Sequence, residues 1–93
     1  MIATLTFNVG DHNGAVSGNF DYDPAAQNAT FQAMNTNLNH QELIALRNAW
    51  TINHDIAVAV TKTVGNTTKI FNCGIVAINV NAYLVLLNVI NIF

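Results

Sequence analysis

The stretch Ile70-Phe71-Asn72-Cys73-Gly74-Ile75-Val76-Ala77-Ile78-Asn79-Val80-Asn81-Ala82-Tyr83-Leu84-Val85-Leu86-Leu87-Asn88-Val89-Ile90-Asn91-Ile92-Phe93 decides how this chain folds. It holds no charged residue and is mostly aliphatic, so as a helix it is long enough to cross a bilayer. Five asparagines interrupt it. At about 100° per residue, Asn72 and Asn79 fall on one side of such a helix and Asn81, Asn88 and Asn91 on the other, so lipid would meet two polar stripes. As extended chain the segment sorts better. Ile78, Val80, Ala82, Leu84 and Leu86 share one face, and Asn79, Asn81 and Tyr83 share the other. From Tyr83 onward both faces are apolar, as in a strand covered on two sides. The segment reads as strand, not as a membrane span.

Working back from it, Gly65-Asn66 marks a turn, and Ile56, Val58, Val60 and Val64 give a strand face broken by Lys62. Asn39-His40-Gln41-Glu42 resembles a capping box with Asn in the first place. Leu43, Leu46 and Trp50, with Ile44 beside them, form a stripe at helical spacing, which predicts one helix over about residues 40–50. Asn28-Ala29-Thr30-Phe31-Gln32-Ala33 alternates strictly and predicts a strand after a turn at Asp23-Pro24. At the amino end Leu5, Phe7 and Val9 alternate with Thr4, Thr6 and Asn8. Asn13-Gly14 then predicts the hairpin turn, because both residues tolerate positive φ. The returning strand carries Val16, Phe20 and Tyr22 opposite Asn19, Asp21 and Asp23, with Gly18 marking a bulge or a close backbone approach. No internal repeat stands out. The expected fold is mainly β: a single domain over residues 1–93, built as a two-sheet sandwich or partly open antiparallel barrel of six to seven strands with one α-helix.

Only eight of 93 residues are charged, where about a quarter is usual. Fifteen Asn and nine Thr take their place, giving a neutral polar surface weakly protected against association. Three basic residues cannot make the cluster of phosphate contacts that nucleic acid requires, so nucleic acid is not an expected partner. Nor is a membrane surface, which would call for a polybasic run. No basic stretch precedes an apolar segment at the amino end, so no signal peptide is expected. Cys73 is alone, which excludes an internal disulfide, and its apolar neighbours make it core filler.

Candidate chemistry is sparse. His12, His40 and His54 lack paired ligand spacing. Asp21 and Asp23 face the same way, with Asp11 expected near them across the hairpin, so the three could in principle hold calcium; the ordinary reading is the solvent face of a strand. Ser17, the lone serine, lies in no nucleophile motif. No catalytic residue, cofactor or metal is therefore expected. Phe20, Tyr22, Phe31, Trp50 and Tyr83, set among neutral amides, could line a sugar platform, which makes a glycan-binding module the alternative reading; a small membrane protein ranks below it. The leading expectation is a non-enzymatic structural subunit that associates with itself or a larger assembly, in the style of a bacteriophage coat, capsid-decoration or tail component, which would place it in a virion. Its expected interface is the apolar tail, Leu84, Leu86, Leu87, Val89, Ile90, Ile92 and Phe93, added to the edge of a neighbouring subunit.

Overall fold

The computed structural model describes residues 2–93. Six strands, β1 (Ile2–Val9), β2 (His12–Asp23), β3 (Asn28–Ala33), β4 (Ala57–Val64), β5 (Thr67–Asn79) and β6 (Leu84–Ile92), accompany one helix, α1 (Asn37–Ile52). Every neighbouring pair is antiparallel, and the sheet closes on itself in the order β1-β2-β3-β6-β5-β4. Of the expected architectures the barrel is the one formed. It is closed rather than partly open, because Ala3–Phe7 of β1 pair with Val58–Lys62 of β4. Alternate residues fill the interior: Leu5, Val16, Phe31, Val60, Val85 and Leu87 are fully or almost fully buried. A barrel of this size holds a side-chain core and no channel.

The helix runs from β3 to β4 across the end of the barrel where β1 turns into β2 and β5 into β6, and lays Leu43 and Leu46 on that end. It begins three residues before the expected start. Thr36 is the N-cap, its Oγ1 accepting from the Asn39 N–H at 3.1 Å. Asn39 does not cap. It is 5% exposed, and its amide is spent stapling the helix to the barrel. Its Nδ2 donates to the Ser17 and Met34 carbonyls at 3.1 and 3.0 Å, and its Oδ1 accepts from the Ser17 N–H at 3.4 Å.

Two turns differ from expectation. The first hairpin loop is Gly10-Asp11, not Asn13-Gly14, with positive φ at Gly10 as a type II′ turn requires. Asn13 and Gly14 lie within β2, opposite Asn8 and Phe7. Gly14 faces inward, where a Cβ would run into the Phe7 ring and the Glu42 carboxylate, so the core position rather than the turn demands this glycine. In the tail, the continuous strand expected through Ile78–Leu86 is broken by a turn over residues 80–83. Tyr83 takes φ +55°, and Asn79 Oδ1 accepts from the Ala82 N–H at 3.1 Å. The segment is therefore two strands, and no helix among the described residues is long and apolar enough to cross a membrane.

The six strands are one three-strand meander built twice. In each copy a tight hairpin opens on a glycine with positive φ, Gly10 at +60° and Gly65 at +61°. Each longer loop ends on a residue in the same conformation, Gln27 at +56° and Tyr83 at +55°. Ala33 N–H donates to the Tyr83 carbonyl at 2.8 Å, and Val89 N–H to the Gln27 carbonyl at 2.9 Å. The β1–β4 ladder centres on Leu5 opposite Val60 and the β3–β6 ladder on Thr30 opposite Leu86, and within each pair the two residues hold equivalent positions. An internal pseudo-twofold axis passes through both pairs. The repeat that the sequence does not display is thus present in the structure. Few residues mark it, among them Thr6 with Thr61, Val9 with Val64 and Gly10 with Gly65, because alternating burial constrains polarity rather than identity.

The symmetry also explains two lysines. Phe7 and Gly14 lie under α1 at one end of the barrel, and their equivalents at the uncovered end are Lys62 and Lys69, opposite each other on β4 and β5. Without a helix to cover these positions, lysine stems can lie along the barrel mouth while the ammonium groups stay in water.

Candidate functional site

The two meanders share a backbone but not an outer surface. On β2 and β3 the outward residues include Ser17, Asn19, Asp21, Asp23, Thr30 and Gln32, all exposed. On the outward faces of β5 and β6 the exposed side chains include Ile70, Val76, Leu86 and Ile90, followed by Phe93, with Asn88 and Asn91 between them; the exposed Lys69 of β5 stands instead at the barrel mouth.

Residue identity produces most of this difference, Leu86 standing where the first copy has Thr30, and two β-bulges on β5 and β6 add to it. Ile75 pairs with Leu87 and Ala77 with Leu86, which leaves Val76 as an extra residue of β5. Cys73 pairs with Val89 and Asn72 with Asn91, which leaves Ile90 as an extra residue of β6. A bulge sets two consecutive residues against one and leaves the extra residue without a cross-strand partner. Val76 is 58% and Ile90 60% exposed. The β2–β3 pairing from Gly18 to Asp23 has no register shift. The same fold is therefore built once without bulges, and β5, at thirteen residues, is one longer than its counterpart β2.

The tail residues separate by face. Leu87 and Val89, 1% and 8% exposed, point into the barrel and belong to its core. Leu84 is half-buried opposite Gln32. Leu86, Ile90, Ile92 and Phe93 are exposed, with Ile92 at the uncovered end opposite Phe71. Phe93 extends the ladder by exchanging backbone hydrogen bonds of 2.8 and 3.1 Å with Ile70. Because β6 pairs with β3 on one side and β5 on the other, Leu84–Asn88 offer no free edge to a neighbour. What the tail offers is a face. Ile70 and Val76 belong to that face and are not apparent as such in the sequence, since which strands lie side by side is decided by pairing between segments.

Small residues hollow the surface beside Ile90. One open depression of about 730 Å³ is lined by Ala15, Ala57 and Ala59 together with Asn8, Asn13, Asn72, Asn91 and Ile90. A second, of about 530 Å³, takes in Ala57, Gly74, Val76, Asn88 and Ile90 and is bordered by His54 and Asp55. Ile90 thus borders both. The amides of Asn8, Asn13, Asn72 and Asn91 make no hydrogen bond within the described chain.

The remaining candidates do not converge. His12 Nε2 lies 2.8 Å from Glu42 Oε2, joining the first hairpin to α1. His40 packs on Tyr83 and His54 on Trp50. Asp11 sits at one end of β2 and Asp23 at the other, so the expected acidic trio does not assemble. Asp23 Oδ1 instead accepts from the Ala25 and Ala26 N–H groups and shapes the loop. Among the described residues no group of three or more His, Cys, Asp or Glu side chains could hold a metal ion. Cys73 is fully buried, and burial pushes its pKa up to about 11. Phe20 and Phe31 are core, Phe20 and Tyr22 pack on Phe71, and Trp50 lies on the helix, so the aromatic residues form no common platform.

No protein family, curated protein or solved structure was found to match this chain. Its class rests on its architecture: a closed six-stranded antiparallel barrel with one helix across an end.

Proposed function

We propose that this protein is a non-enzymatic structural subunit that joins a larger assembly through the outer face of β4, β5 and β6. One observation carries the reading. A single backbone plan is dressed twice, once with an acidic polar exterior and once with a strand face that carries no charge and presents aliphatic side chains, two of them unpaired residues of bulges. The unbulged β2–β3 pairing indicates that the bulge at Val76 is not needed to close a meander. Burying a large aliphatic side chain is worth about 1.5–3 kcal/mol, so Val76, Leu86 and Ile90 together could supply much of a stable contact. No catalytic residue or cofactor enters this proposal. A virus particle, such as a bacteriophage bearing the chain as coat, capsid-decoration or tail component, is the kind of assembly that suits a short, charge-poor, strand-rich subunit.

Native mass spectrometry with electron microscopy of the source material tests the proposal. A multimeric or particle-bound population is expected; a chain found only as a free 10.1 kDa monomer would refute it. The four unengaged asparagine amides favour a second reading, a neutral-ligand module. Saturable glycan binding by a monomer would select it.

A further inference from the structure

We infer that the occupant of this face is a second copy of the same chain, packed about a twofold axis with Ile90 of each copy seated in the Ala57–Ala59 depression of the other. The inference rests on the assembly reading and names its partner.

Three features point to self-association. The first is chemical. A carboxamide carries both donors and acceptors, so Asn8, Asn13, Asn72 and Asn91 can each pair with the same residue type on another copy, which an ammonium or carboxylate cannot do. Copies meeting here desolvate no charge on the outward faces of β5 and β6, with Asp55 at the border and Lys69 at the barrel mouth, whereas the equivalent face of the first meander would set Asp21 and Asp23 against themselves. The second is shape. Ile90 projects from a bulge beside a hollow lined by alanines, and a projection next to a hollow is complementary to itself under a twofold rotation. The third is extent. Strands lie about 4.8 Å apart and rise about 3.3 Å per residue, so three strands over the length of β6 present about 400 Å² in projection. Two such faces, with side-chain relief, bury on the order of 1,000 Å², the threshold for a specific contact and the size of a weak, reversible one.

The test is sedimentation velocity over a concentration series for the wild type and three single variants. Ile90→Asp removes the projection, Ala57→Trp fills the hollow, and Ile52→Asp alters an exposed aliphatic on α1 that lines neither depression. The wild type should dimerise or build even-numbered assemblies. Because each substitution occurs twice in a symmetric contact, Ile90→Asp and Ala57→Trp should each weaken association about a hundredfold or more, with Ile52→Asp like the wild type. Far-ultraviolet circular dichroism should be unchanged throughout, since all three positions lie outside the core. If Ile90→Asp and Ala57→Trp associate as the wild type does, this face is not the contact and the inference falls, while the assembly reading passes to another surface. If the isolated wild type stays monomeric yet binds a particle through Ile90, the occupant is another protein, and again only the inference falls. A wild type that is monomeric and found on no particle overturns both.

Discussion

At the scale of single residues, glycine and cysteine carry the clearest constraints. Gly18 lies against the backbone of Gln32 and Ala33, where an added Cβ would collide with main-chain atoms that cannot rotate away. Gly18→Ala should cost about 2–4 kcal/mol, read as a shift in the urea midpoint, because overpacking against backbone forces strands apart. Gly65→Ala meets open space and loses only the freedom of a positive φ, so about 1 kcal/mol is expected. Reversing that order would show that the close approach of β2 and β3 is not real. Cys73 gives a pH signature. Its ordinary value of 9.0 is raised to about 11 by burial, so above pH 9 the unfolded chain loses the thiol proton first. This contribution is neutral below pH 9 and lowers stability as pH climbs from 9 towards 11. Urea unfolding at pH 8 and pH 10.5 should show the loss, and Cys73→Ala should show a smaller pH dependence from a lower starting stability. Thiol-reactive dye should label the folded wild type only as fast as it unfolds.

At the scale of elements, β5 and β6 separate what folds the protein from what its surface presents. β6 closes the barrel between β3 and β5 and buries Val85, Leu87 and Val89. Removing residues 88–93 should therefore unfold the chain, seen as lost near-ultraviolet circular dichroism, instead of releasing a folded monomer. Deleting Val76 alone is a different operation. It removes the extra residue of one bulge and brings β5 to the length of β2, so the barrel should form with near-wild-type circular dichroism while self-association weakens about tenfold. A chain that unfolds on loss of Val76 would mean that the bulge serves closure. The tail was legible as strand because its asparagines fit a helix badly. The turn over residues 80–83 was not, because alternation between Ile78 and Leu86 passes through it without a break, and only the hydrogen bond at Asn79 and the φ of Tyr83 reveal it.

At the scale of the whole molecule, low charge makes a prediction about solution conditions. The one contact of an acidic with a basic side chain among the described residues, His12 with Glu42 at 2.8 Å, lies between hairpin and helix, and the outer faces of β5 and β6 carry no charge to screen. Association should therefore persist between 50 mM and 1 M sodium chloride, or strengthen slightly, in sedimentation or light scattering. Dissociation by moderate salt would point to an ionic contact elsewhere on the surface.

The sequence by itself determined the composition of the protein's parts. Period-two alternation in β1, β2 and β3, the helical stripe through Leu43 and Leu46, and the turn at Gly65-Asn66 were all readable, since each is a local pattern over a few residues. Closure, symmetry and face were decided only by the tertiary structure. The pairing of β1 with β4, the equivalence of Leu5 and Val60, and the shifts that leave Val76 and Ile90 unpaired depend on register between segments distant in the chain. A one-residue offset in register exchanges inside for outside while leaving the sequence pattern untouched. That is why seven tail residues of similar character divide into core at Leu87 and Val89 and surface at Leu86, Ile90 and Phe93.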